Sequence, residues 1–401
     1  MLNRAGAASS RSLLPSFCDV IIEIECKEDN EEPPKVYRSV AKKHALKLRD
    51  PRMTLILALL MLLAGCGGQV EGPSATDEKN GVPSAGRVTE TLRTRPTGTP
   101  FLAVGAGSLW MPTSGTITRV DLGESKVTAV INVGSKEGPA SVAASGDQIW
   151  FTDHAKEAVS RIDPQTNRIV ERIPVGFAVY DIAIDGDTLW LTDLGFATAG
   201  GNVVVRVDTN SNRIVERIDV PAPATITVGG GAVWVVEFGA VRGKPSKVAR
   251  IDPRTNEVVE EIPVETYYPY HMAFGAGSIW IANGLDIEKP SRDKLSVSRL
   301  DPKTNKEVAR IDTGLNMWSL VVDGGSVWAA GSPPDCASND EGALVRIDPT
   351  TNEVVGRTNV RCAYSVAATD DAVLVHSGIE PGAGGNFGDE TGAVTWVEPA
   401  R

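Results

Sequence analysis

One phrase recurs seven times between Phe101 and Glu398, and it constrains the fold more than any other feature of this chain. The consensus of the copies is an apolar run, a Gly- or Asp-rich turn, an x-Trp-x segment, a variable loop, the segment x-V-x-R-I-D-P-x-T-N and the segment V-V-x-x-I-x-V. The Trp position is occupied by Trp110, Trp150, Trp190, Trp234, Trp280, Trp328 and Leu374. Successive positions are 40, 40, 44, 46, 48 and 46 residues apart. A period of this length with several short strands per unit is typical of a β-propeller.

Each unit divides into four predicted strands, a to d. In the second unit we place strand a at Ser141–Ala144, strand b at Gln148–Thr152, strand c at Ala158–Asp163 and strand d at Ile169–Val175. Gly and Asp in the a–b turns supply the positive φ that a tight hairpin needs. In the Asp-Pro-x-Thr-Asn turns between strands c and d, Asp accepts backbone N–H groups, Pro fixes φ and Asn tolerates the left-handed conformation. We interpret both turns as structural signals.

Two further residue types share the period of the repeat. A large flat Trp ring in every strand b predicts that this side chain fills the gap between neighbouring sheets. An Arg precedes the turn Asp in six units, and we expect it to lie across strand c and to pair locally, without a ligand role. These residues are Arg119, Arg161, Arg206, Arg250, Arg299 and Arg346.

The last unit lacks one strand, and the start of the repeat region supplies it. The seventh unit provides strand a at Ser365–Ala368, strand b at Val373–Val375 and strand c at Val394–Glu398. The segment Arg87–Arg93 precedes the first unit in the position of a strand d. Pairing of this segment with the last blade removes open sheet edges. The sequence therefore predicts one all-β domain at 87–399, a seven-bladed propeller of four-stranded blades whose ring is closed by the N-terminal strand.

The segment before the repeats has the pattern of an export signal. Residues 53–65 carry no charge. This uncharged segment is too short to span a bilayer and has the length of a signal h-region. The sequence Leu63-Ala64-Gly65-Cys66 resembles the lipobox of bacterial lipoproteins. This resemblance implies a lipid on Cys66 and a protein located on the extracytoplasmic side of the bacterial cell envelope. The alternative is an ordinary signal peptide with an incidental Cys. Residues 66–86 are rich in Gly, Pro and Ser and predict a flexible tether.

Residues 1–52 do not fit a leader of this kind. Either they belong to an over-extended reading frame whose basic end serves as the n-region of the signal, or they form a genuine cytoplasmic extension. Residues 1–65 hold ten Lys and Arg and eight Asp and Glu, so the remainder has 30 basic and 43 acidic residues and a formal net charge of −13. This acidity argues against nucleic acid or anionic lipid as a partner, and we expect a monomer whose membrane contact is the lipid on Cys66.

The folded region holds one remaining pair of cysteines, Cys336 and Cys362. In an exported protein such a pair indicates a disulfide. Cys336 falls in the b–c loop of the sixth unit and Cys362 in the d–a loop that leaves it, so both lie on the same face. The bridge would close a loop of about 25 residues, which stabilises by about 3 kcal/mol in the loop-entropy picture.

The repeats are similar to two known propeller families. The segments at 277–283 (GSIWIAN) and 298–314 (SRLDPKTNKEVARIDTG) resemble YVTN repeats. The segments at 148–153 (QIWFTD) and 188–193 (TLWLTD) resemble virginiamycin B lyase-like units. The resemblance covers about 310 residues, counted from the repeat boundaries. It implies a propeller, and it leaves activity open because these families include enzymes and binding proteins.

Length variation collects in the b–c loops, so we place the functional site on the face that the d–a and b–c loops share. Alignment on the Trp position predicts that the entries of the strands a form a ring around the axis. The members of this ring are Phe101, Ser141, Asp181, Thr225, His271, Ser319 and Ser365. The residue before the ring position is aromatic in four units: Tyr180, Tyr270, Trp318 and Tyr364.

These positions favour a ligand-binding or protein-interaction module. Aromatic side chains with a few acids suit a sugar, a peptide or a cationic small molecule, or a protein partner. The predicted ligand-binding residues are Tyr180, Asp181, Tyr270, His271, Trp318 and Tyr364.

The alternative is a Mg²⁺-dependent C–O lyase of the streptogramin type. The resemblance to virginiamycin B lyases implies that His271 acts as general base and that acidic side chains hold Mg²⁺. Asp193 and Glu237 are the metal-ligand candidates, although the blade of His271 ends its strand b with Asn283. A neutral His271 that is hydrogen-bonded to a neighbour remains the other interpretation.

A cation site is a separate possibility for the acidic side chains of the second to fourth units. Asp153, Asp181, Asp193 and Glu237 could together bind Ca²⁺ or Mg²⁺ through oxygen, or each Asp could cap its own loop. A third functional class, a quinoprotein-like subunit, ranks last because the sequence has no C-x-x-C-H haem-attachment motif.

Overall fold

The computed structural model describes most of the repeat region. It covers residues 82–94, 101–113, 115–134, 141–193, 202–239, 244–264, 266, 268–284, 295–333, 342–377 and 392–400. The predictions for residues 1–52 and 53–65, for Cys66 and for most of the tether fall outside this range and stay predictions. Within the part described, no helix is long and apolar enough to cross a membrane.

The chain forms seven four-stranded antiparallel sheets, as the repeat predicts. Blade 1 contains β2 (Ala103–Gly105), β3 (Ser108–Thr113), β4 (Thr116–Asp121) and β5 (Lys126–Asn132). Blade 2 contains β6 (Val142–Ser145), β7 (Gln148–Asp153), β8 (Ala158–Asp163) and β9 (Arg168–Pro174), with a short 3₁₀ helix at His154–Lys156. Blade 3 contains β10 (Val179–Asp185), β11 (Thr188–Asp193), β12 (Val203–Asp208) and β13 (Arg213–Asp219).

The remaining blades repeat this order. Blade 4 contains β14 (Pro223–Gly229), β15 (Ala232–Glu237), β16 (Lys247–Asp252) and β17 (Glu257–Pro263). Blade 5 contains β18 (Pro269–Gly275), β19 (Ser278–Asn283), β20 (Ser296–Asp301) and β21 (Lys306–Asp312). Blade 6 contains β22 (Asn316–Asp323), β23 (Ser326–Ser332), β24 (Ala343–Asp348) and β25 (Glu353–Asn359). Blade 7 contains β26 (Ala363–Ala368), β27 (Val373–Ser377), β28 (Gly392–Pro399) and β1 (Gly86–Thr94).

The ring closes through β1, which is the outer strand of blade 7. Strand β1 runs antiparallel to β28, with Val88 opposite Val397 and Leu92 opposite Val394. The first strands of adjacent blades contact each other around the whole ring, and β2 of blade 1 contacts β26 of blade 7. The prediction that the N-terminal strand completes the last blade is therefore confirmed.

The Trp of each strand b lies between neighbouring sheets, as predicted. The side chains of six such Trp residues are at most 3% exposed. Trp234 of blade 4, for example, belongs to the same apolar cluster as Ile279 and Ile281 of blade 5. Blade 7 differs from the others, because Leu374 occupies the Trp position and pairs across the ladder with Trp396. The indole of this blade is therefore on strand c, at the position that Arg occupies in the other blades.

The strand-c Arg pairs locally, as predicted, and also joins neighbouring blades, which was not predicted. The local bonds run from Nε of Arg119, Arg299 and Arg346 to a Ser of strand b in the same blade. Arg206 of blade 3 donates from Nη1 to the Pro253 carbonyl at 2.7 Å and to Asn256 Oδ1 at 2.9 Å, both in the c–d turn of blade 4. Its guanidinium lies 5.3 Å from the ring centroid of Trp190 in its own blade. We call this arrangement the inter-blade clasp.

The same inter-blade clasp recurs between other blades, with a Pro carbonyl and an Asn side chain as acceptors each time. The Arg, Pro and Asn members are Arg119 with Pro164 and Asn167, Arg250 with Pro302 and Asn305, and Arg299 with Pro349 and Asn352. Arg346 of blade 6 instead donates to the Ala400 carbonyl after β28. Periodicity alone cannot separate contacts within a unit from contacts between units, because every unit offers the same groups.

Candidate functional site at the centre of the ring

The predicted ring positions meet at the centre of the propeller. Phe101, before β2, contacts Tyr180 of blade 3 with ring centroids 5.5 Å apart, and His271 of blade 5 at 5.6 Å. Side chains from blades 1, 3 and 5 can converge in this way only close to the central axis. Phe101 is 4% exposed and therefore packs between Tyr180 and His271. The alignment identified its position but did not predict that it would contact both partners.

Asp181 is a hydrogen-bonding hub between three blades. Its Oδ1 accepts from Ser141 Oγ of blade 2 at 2.9 Å and from the Ile182 N–H at 2.7 Å. Its Oδ2 accepts from Thr225 Oγ1 and from the Ile226 N–H of blade 4, both at 3.0 Å. Burial raises the pKa of Asp181 to about 6, and the four donors oppose that rise.

The hub leaves Asp181 little capacity to bind a ligand. A carboxylate has about four lone-pair sites, and four protein donors already occupy them. A cation would have to displace these donors before it could bind. The structure therefore gives Asp181 a role in joining blades 2, 3 and 4.

His271 is neutral at pH 7 and its tautomer is set by a neighbouring blade. Burial lowers the pKa of His271 to about 4. Its Nδ1 accepts the backbone N–H of Leu320 in blade 6 at 3.3 Å. A nitrogen that accepts carries no proton, so the proton of the neutral ring is on Nε2. None of the described residues forms a hydrogen bond with Nε2, and His271 is partly exposed. An Nε2–H donor is thus available at the centre of the ring.

Aromatic side chains form an arc beside His271. Tyr270 stacks on Trp318 with centroids 4.7 Å apart and planes at 24°, and Trp318 contacts Tyr364 at 5.3 Å. On the other side Tyr268 contacts Tyr270 at 6.4 Å and Phe238 at 5.6 Å. We call these five residues the aromatic arc; they come from blades 4 to 7.

The aromatic arc is held in place by specific neighbours. Trp318 Nε1 donates to Ser332 Oγ at 2.8 Å. Gly284 lies against Tyr270, and a Cβ at position 284 would overlap the Tyr270 ring. Burial raises the pKa of Tyr180, with contributions from Asp181 and Tyr270, so its phenol stays protonated at neutral pH. Tyr268 and Phe238 were not predicted from the sequence, although the aromatic run that ends at Tyr270 was a signal for Tyr268.

The predicted metal ligands do not form an assembled centre. Asp153 is buried and forms an ion pair with Arg172 at 3.2 Å. Asp193 Oδ2 accepts the Val203 N–H at 3.2 Å, which is the loop-capping interpretation. Glu237 lies opposite Lys247 in the ladder. Among the residues described, no group of three or more His, Cys, Asp or Glu side chains is arranged to hold a metal ion. The metal assignment stays a prediction.

The blade-6 cysteines and the variable loops are covered only in part. Cys362 is 1% exposed and lies directly before β26, on the predicted face. Cys336 and most of the variable b–c loop residues fall outside the described ranges. The disulfide therefore also stays a prediction.

No protein-family model and no curated protein matches the chain. Solved structures with a similar fold include virginiamycin B lyase from Staphylococcus aureus, with a TM-score of 0.58 and 15% identity over 78% of this chain and 99% of that chain. Hydrazine synthase of Kuenenia stuttgartiensis has a TM-score of 0.60 and 16% identity over 77% of this chain and 97% of that chain. A structure of the mitotic checkpoint complex has a TM-score of 0.61 and 10% identity over 84% and 99%. The chain is therefore a seven-bladed β-propeller with a fold like that of virginiamycin B lyase.

Proposed function

We propose that the centre of the ring binds an uncharged ligand with a ring-shaped apolar face and a hydrogen-bond acceptor, such as a pyranose sugar. The observation that carries this proposal is the aromatic arc next to the Nε2–H donor of His271. Aromatic rings suit the apolar face of such a ligand, and a single well-placed donor orients it. The carboxylate of Asp181 already accepts four hydrogen bonds from the protein, which favours an uncharged ligand over a cationic one.

The test is a screen of neutral saccharides by isothermal titration calorimetry. The affinity of the saccharide that binds most tightly is then measured for variants of the protein. Trp318→Ala is expected to weaken binding by up to about tenfold, because an aromatic contact contributes about 0.5–1.5 kcal/mol. Val259→Thr is the control, since Val259 is 51% exposed on the outer strand β17. Equal affinities of the two variants would refute the proposed site. Binding of peptides but not of saccharides would keep the site and change the ligand class.

The lyase remains a second candidate because the fold is similar and His271 lies at the centre of the ring. A general base needs an unprotonated nitrogen directed at the substrate. Here the Leu320 N–H occupies Nδ1, so the accessible nitrogen carries a proton and acts as a donor. This tautomer favours binding over proton abstraction.

A single substitution separates the two functions. In His271→Gln the side-chain amide can still donate near the Nε2 position but cannot act as a base. Ligand binding predicts an affinity within about fivefold of the unchanged protein, a change of about 1 kcal/mol. The lyase predicts Mg²⁺-dependent opening of a cyclic depsipeptide ring, detected by mass spectrometry and abolished in this variant. Turnover by the unchanged protein would therefore support the alternative.

Lipid anchoring on the extracytoplasmic side completes the proposed role, supported by the motif at 63–66 and the uncharged segment before it. The propeller would then present its loops to ligands or protein partners outside the membrane. Cys66→Ser is expected to move the protein from the membrane fraction to the soluble fraction in the native host. Unchanged membrane association of this variant would contradict lipidation.

A further inference from the structure

The junction between blades 2 and 3 lacks the inter-blade clasp. Arg161 occupies the clasp position of blade 2, yet within the described ranges it donates no hydrogen bond. Its guanidinium lies 5.9 Å from the Trp150 ring centroid, whereas the corresponding distance in the other five blades is 5.0 to 5.3 Å. Arg161 therefore remains without the two acceptors that its equivalents bind.

The sequence of the next turn explains this difference. The c–d turn of blade 3 reads Asp208-Thr-Asn-Ser-Asn212 and has Thr209 where the other turns have Pro. The N–H and Oγ1 of Thr209 both donate to the Asp187 carbonyl, at 2.9 and 3.0 Å. The side chain of Asn212 donates from Nδ2 to Glu171 Oε2 at 2.8 Å. These bonds use the N–H and hydroxyl of Thr209 and the Nδ2 of Asn212, and among the described contacts neither the Thr209 carbonyl nor Asn212 Oδ1 accepts a hydrogen bond from Arg161.

Arg161 also lines a cavity of about 340 Å³ on the turn face of blade 2. Its lining residues are Asp147, Arg161, Asp163, Pro164, Gln165 and Val170. Two carboxylates beside one guanidinium disfavour an incoming anion, so an uncharged acceptor suits this cavity better than a carboxylate. The carboxylate of Asp163 is already engaged, since it accepts the Gln165 N–H at 2.9 Å and the Thr166 hydroxyl at 2.8 Å. The positive group left to recognise a ligand is Arg161.

We propose that this open clasp is a docking site for a reverse turn of a partner protein, which presents a backbone carbonyl and an amide side chain to Arg161. The filled clasps define this chemistry, because each supplies a Pro carbonyl and an Asn Oδ1 to the Arg of the preceding blade. A second copy of this chain is unsuited to supply this turn, since its Asp-Pro-x-Thr-Asn turns already fill its own clasps. The cavity is on the face of the a–b and c–d turns, opposite the proposed ligand site, so both sites can be occupied together.

The probe is a peptide that copies one of the filled turns. A disulfide-cyclised peptide of residues 250–258, RIDPRTNEV, carries the carbonyl and amide that Arg206 binds within the ring. Cyclisation pre-forms the turn and so reduces the entropy lost on binding. Calorimetric titration into the purified protein is expected to give a dissociation constant below about 1 mM, a value reasonable for two hydrogen bonds to a guanidinium.

Two substitutions decide whether Arg161 carries the binding. Arg161→Lys keeps the charge but loses the planar fork, and it is expected to weaken peptide binding by at least about fivefold. Arg87→Lys, at an exposed ion pair with Glu398, is the control and should leave binding unchanged. Replacement of the peptide's Asn by Asp should also weaken binding, because of Asp147 and Asp163. Two results would overturn the proposal. One is the absence of binding at a peptide concentration of about 3 mM, roughly three times the expected upper limit of the dissociation constant. The other is an Arg161→Lys protein that binds the peptide as tightly as the unchanged protein.

Discussion

Removal of a filled clasp should destabilise the propeller far more than removal of the open one. Arg206 and Arg161 are equivalent positions in adjacent blades, and both are partly exposed over a buried Trp. Arg206→Ala removes two hydrogen bonds to blade 4, at 2.7 and 2.9 Å, and a cation–π contact. Arg161→Ala removes a longer cation–π contact and no hydrogen bond to a described residue.

The magnitude follows from these contacts. A hydrogen bond to a charged group contributes about 1.5 kcal/mol at the lower end of its range, which is appropriate for a partly exposed clasp. A cation–π contact at such a site contributes about 0.5 kcal/mol. We therefore expect Arg206→Ala to lower the free energy of unfolding by about 3.5 kcal/mol and Arg161→Ala by less than about 1 kcal/mol.

Urea denaturation followed by Trp fluorescence measures the difference between these variants, provided that the transition is two-state in both. Thermal unfolding gives a second reading, with a decrease in Tm of several degrees for Arg206→Ala and of about 2 °C or less for Arg161→Ala. Equal destabilisation by the two substitutions would refute the assignment of the clasp as an inter-blade contact that is absent at the junction of blades 2 and 3.

Three further predictions concern the ring centre and blade 6. Asp181, whose folded pKa of about 6 lies above its unfolded value, contributes stability that is lost as the pH rises from about 4 to 6. His271, whose folded pKa of about 4 lies below its unfolded value, contributes stability that is lost as the pH falls from about 6.5 to 4. The two contributions oppose each other, so Asp181→Asn should make the free energy of unfolding rise with pH more steeply across this range than in the unchanged protein, as measured in denaturation series. Gly284→Ala should displace Tyr270 and weaken ligand binding as much as Tyr270→Ala; an unchanged affinity would contradict this packing. Cys362→Ser should abolish the mobility shift between reduced and non-reduced protein in gel electrophoresis, because it removes the predicted bridge to Cys336.

Much of the architecture was predictable because the repeat is local and periodic. The Trp spacing predicted seven blades, and the missing last strand predicted that 87–93 would pair with 394–398, which the register of β1 and β28 confirms. The strand boundaries of the second unit were correct to within one residue, because Gly, Asp, Pro and Asn define the turns on both sides.

The functional groups were harder to predict, because their roles depend on partners from other blades. The alignment placed Asp181 and His271 on the axis, but it did not predict that four donors saturate one or that the Leu320 N–H fixes the tautomer of the other. For this reason the structure favours an uncharged ligand over the cationic small molecule that the sequence also allowed.

The sequence by itself determined the number of blades and their strands, since these depend on burial and turn chemistry within about 45 residues. The incomplete last unit identified the closing strand. The tertiary structure decided which side chains meet. Phe101, Tyr180 and His271 touch only because the sheets close into a ring. The clasp of Arg206 and the open clasp of Arg161 likewise differ only in the turn that the next blade presents. A repeated motif offers the same groups in every unit, and the contact between units selects the pairs that form.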